Sequence, residues 1–158
     1  MNQDQKQKRY DRIIDQLQDL LQATDDPISR MATVSSLLYH KKRNFFWIGF
    51  YRLIDGELLV GPYHGAIACQ KLQKDTGVCW ACLNRQESII VPDVEKFPGH
   101  IACDARSKSE IVIPVRNQGG EVIAILDADS EKLDTYDEID NLNLQTISDM
   151  IYSNQKRM

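Results

Sequence analysis

No stretch of apolar residues in this 158-residue chain approaches the ~18 positions that a membrane-spanning helix requires. The opening MNQDQKQKRY is polar and no apolar run follows it, so a secretory leader is not expected either. Positive charge is not in excess. The 19 Lys and Arg against 23 Asp and Glu leave a net charge of −4, which removes the electrostatic reason to expect nucleic acid or an anionic membrane as partner. Internal repeats, low-complexity tracts and linker-like segments are missing. These absences lead to an expected cytoplasmic location, where structural disulfides are rare and cysteines are more often catalytic, redox-active or metal-binding.

What is present is ordinary for a globular protein: 42% apolar and 27% charged residues, enough for one domain with a full core. The expected unit is a single domain over 1–158, with residues 1–8 as a disordered polar tail. Tyr10, Ile13, Ile14, Leu17, Leu20 and Leu21 recur at three- and four-residue spacing and predict an amphipathic helix. Asp26-Pro27 reads as an N-cap and first-turn proline of a second helix, with Ile28, Met31, Val34, Leu37 and Leu38 on its apolar face. Residues 45–53 are aromatic and β-branched, Asp55-Gly56 is a hairpin turn, and 57–62 return as the partner strand. The segment 63–87 is irregular. A short strand at 88–91 precedes a long loop, 92–108. A second hairpin takes 110–115 and 121–127 around a turn at 117–120. A last helix starts at Thr135, whose spacing to Glu138 is that of a capping box, with Ile139, Leu142, Ile147, Met150 and Ile151 packed on the sheet. Hairpins with helices grouped at the ends argue for an α+β domain: an antiparallel sheet covered on one face by the N- and C-terminal helices.

The chemistry centres on the cysteines, Cys69, Cys79, Cys82 and Cys103. Cys103 lies in a Pro/Gly-punctuated loop, FPGHIACD, with a His three residues before it and an Asp after it, a setting that suits a reactive thiolate. A buried inert thiol is the plain alternative. Three readings of the set stand open. Cys79 and Cys82 have C-x-x-C spacing and, with His100 and Cys103, form a possible zinc set. The same pair fits a thioredoxin-like motif, although the βαβ context is missing. A third reading has one thiol attacking and a second resolving a sulfenic acid. Asp127 and Asp129 share a face if their strand continues, and Glu110 opens the neighbouring strand. Three crowded carboxyls would raise at least one pKa and supply an acid near neutral pH, or hold an ammonium group. Trp47 and Tyr51 lie on one face with Gly49 leaving a gap between them, as either a core stripe or the apolar wall of a ligand pocket. His40 and His64 read as surface or loop residues.

An ordered set of segments runs through the chain: WIGFY at 47–51, GPYHG at 61–65, Ala68-Cys69, GVC at 77–79, PDV and FPGHIACD between 92 and 104, SEIVIP at 109–114 and LDADS at 126–130. With its three-cysteine spacing, this set resembles the free methionine-(R)-sulfoxide reductases, small enzymes of the GAF fold. The resemblance implies a catalytic role for Cys103, with Cys69 resolving it as a disulfide and Cys79 as the family's third cysteine. It implies that Glu110, Asp127 and Asp129 hold the substrate and assist oxygen loss, and that Trp47 and Tyr51 line the pocket. Also implied are activity on the free amino acid, electrons from thioredoxin with no bound cofactor or metal, and a homodimer.

One departure from the family pattern falls at Trp80-Ala81-Cys82, where small residues are usual. Cys82 is either a second resolving thiol or a small core hydrophobe, and the core reading is favoured. Trp80 puts the local backbone path in question. The competing function is a non-catalytic GAF sensor module that binds a small molecule, since fold alone does not decide function.

Overall fold

In a computed structural model of the chain, residues 2–41, 44–100 and 104–154 are described. Five antiparallel strands form one sheet: β1 (Trp47–Ile54), β2 (Glu57–His64), β3 (Ile89–Val91), β4 (Ser109–Arg116) and β5 (Val122–Ser130), in the order β2-β1-β5-β4-β3. The helices are α1 (Gln3–Leu20), α2 (Pro27–Lys41), α3 (Gly77–Arg85) and α4 (Glu138–Asp149). The Asp55-Gly56 turn has both residues at positive φ, 50° and 80°, which matches the right-handed twist of the strands it joins.

The period-2 alternation of the strands divides the core into two layers. Ile48, Phe50, Ile111, Ile113, Leu126 and Ala128 face the terminal helices and are buried with Tyr10, Ile13, Leu17, Met31, Val34, Leu38, Leu144 and Ile147. Trp47, Tyr51, Val112 and Ile125 face the other way, against Val78, Cys79, Trp80, Cys82 and Leu83 of α3. The terminal helices therefore cover one face, as expected, while α3 and the loops cover the second. Among the described residues no helix is long and apolar enough to cross a membrane.

Several elements differ from the sequence reading. The first helix starts at Gln3, because Asn2 accepts from the Gln5 backbone N–H at 2.8 Å and the Gln5 side chain answers in a capping box. The expected tail is thus mostly helix, and Lys6 is drawn into the core edge. Its Nζ lies 2.6 Å from Asp140 Oδ2, and Tyr10 Oη donates to Asp140 Oδ1 at 2.6 Å, so a fully buried carboxylate pins α1 to α4. A carboxylate with three satisfied contacts is tolerated where an isolated one would not be; the third is the Asp137 backbone N–H at 2.9 Å. The last helix is capped by Asp137, which accepts from Ile139 and Asp140, rather than by Thr135. Thr135 instead donates to Ser130 Oγ at 2.6 Å, tying the end of β5 to the following turn. Leu20, Ile28 and Leu142, placed on apolar faces by their spacing, are exposed.

Candidate active site

The segment 63–87, which the sequence reading left irregular, contains α3, and this helix builds one wall of the site. It is only nine residues long, begins with Gly77 at φ 84° and ends on Gln86 in the left-handed region at φ 56°. Such a short helix has little stability of its own and is held by burying Val78, Cys79, Trp80, Cys82 and Leu83 against the sheet. Trp80 therefore does not divert the backbone; it is buried in the α3 layer. Cys82 is fully buried among the same neighbours, and burial pushes its thiol up to about 12, in keeping with a core role.

Between α3 and the sheet lies a cavity of about 240 Å3. The strand register explains its contents. Trp47, Asp129 and Glu110 form one cross-strand row, and Gly49, Asp127 and Val112 the next, all on the α3 face. β5 continues to Ser130, so Asp127 and Asp129 do share a face, and Glu110 lies directly across from Asp129. Gly49 leaves room that the Trp47 indole occupies. A Cβ on Gly49 would meet Trp47 Cη2 at 2.8 Å and Tyr63 Cβ at 2.2 Å. Trp47 stacks on Tyr63 at 5.1 Å and on Tyr51 at 5.9 Å between ring centroids, which makes an aromatic wall. The polar edges of that wall are anchored: Trp47 Nε1–H donates to the Ala66 carbonyl at 3.0 Å, and Tyr51 Oη donates to the Cys69 carbonyl at 3.4 Å.

Both anchors reach the 65–72 segment, which runs beside β2. Val60 N–H donates to the Gln70 carbonyl and Leu72 N–H to the Leu58 carbonyl. This backbone ladder holds half-buried Cys69 at the cavity wall. Cys69 is disulfide-bonded, whereas Cys79 and Cys82 are free and buried. Cys103 lies outside the described residues. On its N-terminal side His100 lines the cavity, with Nε2 buried and without a hydrogen-bond partner among the described residues, and its pKa lowered by burial. The sequence offered His100 as one member of a zinc set; its spacing to Cys103 was the signal that it stands at the cavity. On the C-terminal side Asp104 also lines the cavity and accepts from Arg106 Nε at 3.1 Å and Nη2 at 2.8 Å. These bonds hold its carboxyl down at about 2, and the Arg106 guanidinium lies 4.6 Å over the Phe46 ring at the same end. Neither contact was legible in the sequence. His40 and His64 stand away from this cavity, with their rings 5.9 Å apart.

The electrostatics of the acidic end follow from burial. Glu110 and Asp127 are each 5% exposed, and Asp129 is half-buried. Burial, then the Asp127 charge, drives Glu110 well above the usual carboxyl range. Burial and then Asp129 raise Asp127 to about 8, and burial and then Glu110 raise Asp129. The cluster thus holds protons at neutral pH. The Cys79 thiol is also raised, first by burial and then by Asp127 and Glu110. Among the described residues, ligand atoms of Cys79, Glu110 and Asp127 lie within 4.8 Å of one another, without Cys82 or His100. The zinc reading that grouped Cys79, Cys82 and His100 is not what the fold gathers among the described residues.

A five-stranded antiparallel sheet with helices on one face and a ligand-sized cavity on the other is the architecture of a GAF domain, and residues 42–151 match the GAF domain family model. The chain is 45% identical over 144 residues to GAF domain-containing protein A of Dictyostelium discoideum, covering 90% of this chain and 89% of that one. It is 39% identical over 122 residues to the free methionine-R-sulfoxide reductase of Escherichia coli, covering 76% and 72%. The X-ray structure of free methionine-R-sulfoxide reductase from Neisseria meningitidis in complex with its substrate superposes with a TM-score of 0.86 at 32% identity, over 94% of this chain and 90% of that one. The chain belongs to the free methionine-R-sulfoxide reductase family of GAF-domain proteins.

Proposed function

We propose that this protein reduces free L-methionine-(R)-sulfoxide to L-methionine, with Cys103 as nucleophile, Cys69 as resolving thiol and thioredoxin as electron donor. The observation that carries the reading is the cluster of Glu110, Asp127 and Asp129 facing one cavity, with Cys69 on its wall and His100 and Asp104 lining it. Carboxyls in that cluster meet the substrate ammonium group, and those kept protonated by burial can donate to an oxygen. The stacked Trp47 and Tyr51 rings offer an apolar face to the methyl-sulfoxide end.

The Cys103 thiolate attacks the sulfoxide sulfur while a carboxyl proton moves to the sulfoxide oxygen. The sulfur–oxygen bond breaks as methionine leaves, and Cys103 becomes a sulfenic acid. The Cys69 thiol condenses with it, releasing water and forming a disulfide. A thioredoxin dithiol reduces that disulfide by exchange, so one sulfoxide and one dithiol become one thioether, one water and one disulfide. The disulfide-bonded state of Cys69, beside free Cys79 and Cys82, supports its assignment as resolver. Cys79 is the third family thiol, and its sulfur within 4.8 Å of Glu110 and Asp127 supports a role in setting the acid's proton. The cycle needs no bound cofactor or metal, and it suits a cytoplasmic homodimer.

The test is NADPH oxidation coupled through thioredoxin reductase and thioredoxin. Turnover is expected with the free R-sulfoxide and little with the S form or a peptide-bound sulfoxide. Cys103→Ser should be inactive, and Cys69→Ser should reduce one equivalent and then stall. Full turnover by Cys103→Ser would overturn the assignment, and tight binding of a small molecule without turnover would favour the sensor function.

A further inference from the structure

The acidic end of the cavity brings a sulfur donor next to two oxygen donors. Cys79 comes from the first turn of α3, Glu110 from β4 and Asp127 from β5, so three regular elements fix them. All three are buried, and one ligand atom from each lies within 4.8 Å of the others. Around a tetrahedral zinc ion, ligand atoms stand roughly 3.5 Å apart, given metal–ligand bonds of about 2.0–2.3 Å. Small rotamer shifts would close that difference. A second observation points into the same place: Asp127 Oδ1 is fully buried and has no hydrogen-bond partner among the described residues. A buried carboxyl oxygen left without a partner is costly, and a cation that displaces the carboxyl's proton is a group that satisfies it.

We infer that Cys79, Glu110 and Asp127 form a three-ligand site for a thiophilic divalent cation such as zinc, which competes with the ammonium group of an amino-acid substrate for the same carboxyls. The donor set decides the class of ion. One thiolate with two carboxylates suits zinc or cadmium, whereas magnesium and calcium take oxygen ligands only. Three protein ligands leave the fourth position open to the cavity. Binding requires the Cys79 thiol and the protonated carboxyls of Glu110 and Asp127 to ionise, so protons leave as the metal–ligand bonds form, and affinity rises with pH. Cys82, three residues along α3, lies in the apolar layer behind Cys79 and takes no part. The competition with substrate rests on the proposed reductase function; the cation site itself does not.

Cadmium is the probe, because thiolate–cadmium bonding absorbs in the ultraviolet. The titration uses protein carrying Cys69→Ser and Cys103→Ser, which leaves Cys79 and Cys82 as the only thiols. One cadmium per chain is expected, with zinc displacing it. Cys79→Ala should abolish the absorption, and Cys82→Ala should leave it intact. Glu110→Gln and Asp127→Asn should each weaken cadmium binding about tenfold or more, since even outer-shell partners are worth that much. Absence of stoichiometric binding, or absorption that depends on Cys82, overturns the site. If Cys79→Ala does not fold, the two carboxyl variants decide, and unchanged affinity in both overturns it. Free methionine sulfoxide should displace the cadmium. Sulfoxide that binds by calorimetry without displacing cadmium overturns the competition. Sulfoxide that does not bind at all removes the reductase reading and leaves the cation site standing.

Discussion

Replacing Gly49 by alanine tests how the aromatic wall is held. The new methyl carbon would lie 2.2 Å from Tyr63 Cβ and 2.8 Å from both Tyr63 Cα and Trp47 Cη2. Ordinary contact begins near 3.4 Å, so the closest approach is short by about 1 Å. Two of the three obstructing atoms are fixed to the β2 backbone, and no side-chain rotation removes them. The strands must separate where Gly49 pairs with Tyr63, next to the register shift between Gly49 and Tyr51. The cost should reach the upper end of the overpacking range, about 3 kcal/mol, a large share of the ~5–15 kcal/mol that stabilises a domain. Urea unfolding read by circular dichroism measures it. Gly56→Asn is the control: Gly56 has a positive φ, but nothing lies within 4 Å of a Cβ placed on it, and Asn tolerates that conformation at a cost under about 1 kcal/mol. Displacement of the Trp47 ring should also weaken sulfoxide binding. A Gly49→Ala loss below about 1 kcal/mol, or one no larger than the control's, would refute the close approach and with it the packing of the wall.

Between the ordinary carboxyl range and about 8, folded Asp127 keeps a proton that the unfolded chain has lost. Stability should therefore fall as pH rises through that window, by ~1.4 kcal/mol per pH unit for each such proton. In chelator-treated protein, Asp127→Asn should flatten the stability–pH profile by about one proton; a profile parallel to the parent's would contradict the raised pKa. Cys82→Ala should cost about 1 kcal/mol of stability and leave thioredoxin-coupled turnover unchanged, and a tenfold fall in turnover would restore a redox role to that thiol. Asp137→Ala should cost about 1 kcal/mol as the cap of α4 and a partner of Lys6 at 3.3 Å, while Thr135→Ala leaves helix content unchanged by circular dichroism.

The sequence by itself determined the elements whose side chains repeat with a clear period and the residues set in them. The Asp55-Gly56 hairpin, the alternation in 109–116 and 122–130, and the buried faces of α1 and α2 follow from local patterning, which chain chemistry enforces wherever the segment packs. The same period of two puts Asp127 and Asp129 on one face once the strand runs on to Ser130, and cross-strand register sets Glu110 opposite Asp129. Local patterning did not fix α3, because nine residues that include Gly77 and β-branched Val78 carry too little helical preference, and only burial against β4 and β5 makes them a helix. The cap of α4 was misplaced because Thr135 and Asp137 are both good N-cap residues. The choice fell to Asp140, which is fixed by Lys6 and Tyr10 from more than 100 residues away.

Spacing along the chain put Cys79 with Cys82, since C-x-x-C is visible as letters. The tertiary structure separated them, turning Cys79 toward Glu110 and Asp127 and Cys82 into the apolar layer. Protonation was equally out of reach of the letters. A carboxyl's pKa depends on the water and charge around it, and only burial between α3 and the sheet removes the water that would keep Glu110 and Asp127 ionised. Which residue types carry the chemistry is a local property of the chain; which of them meet, and in what charge state, is set by burial and cross-strand register, which arise only once distant segments pack together.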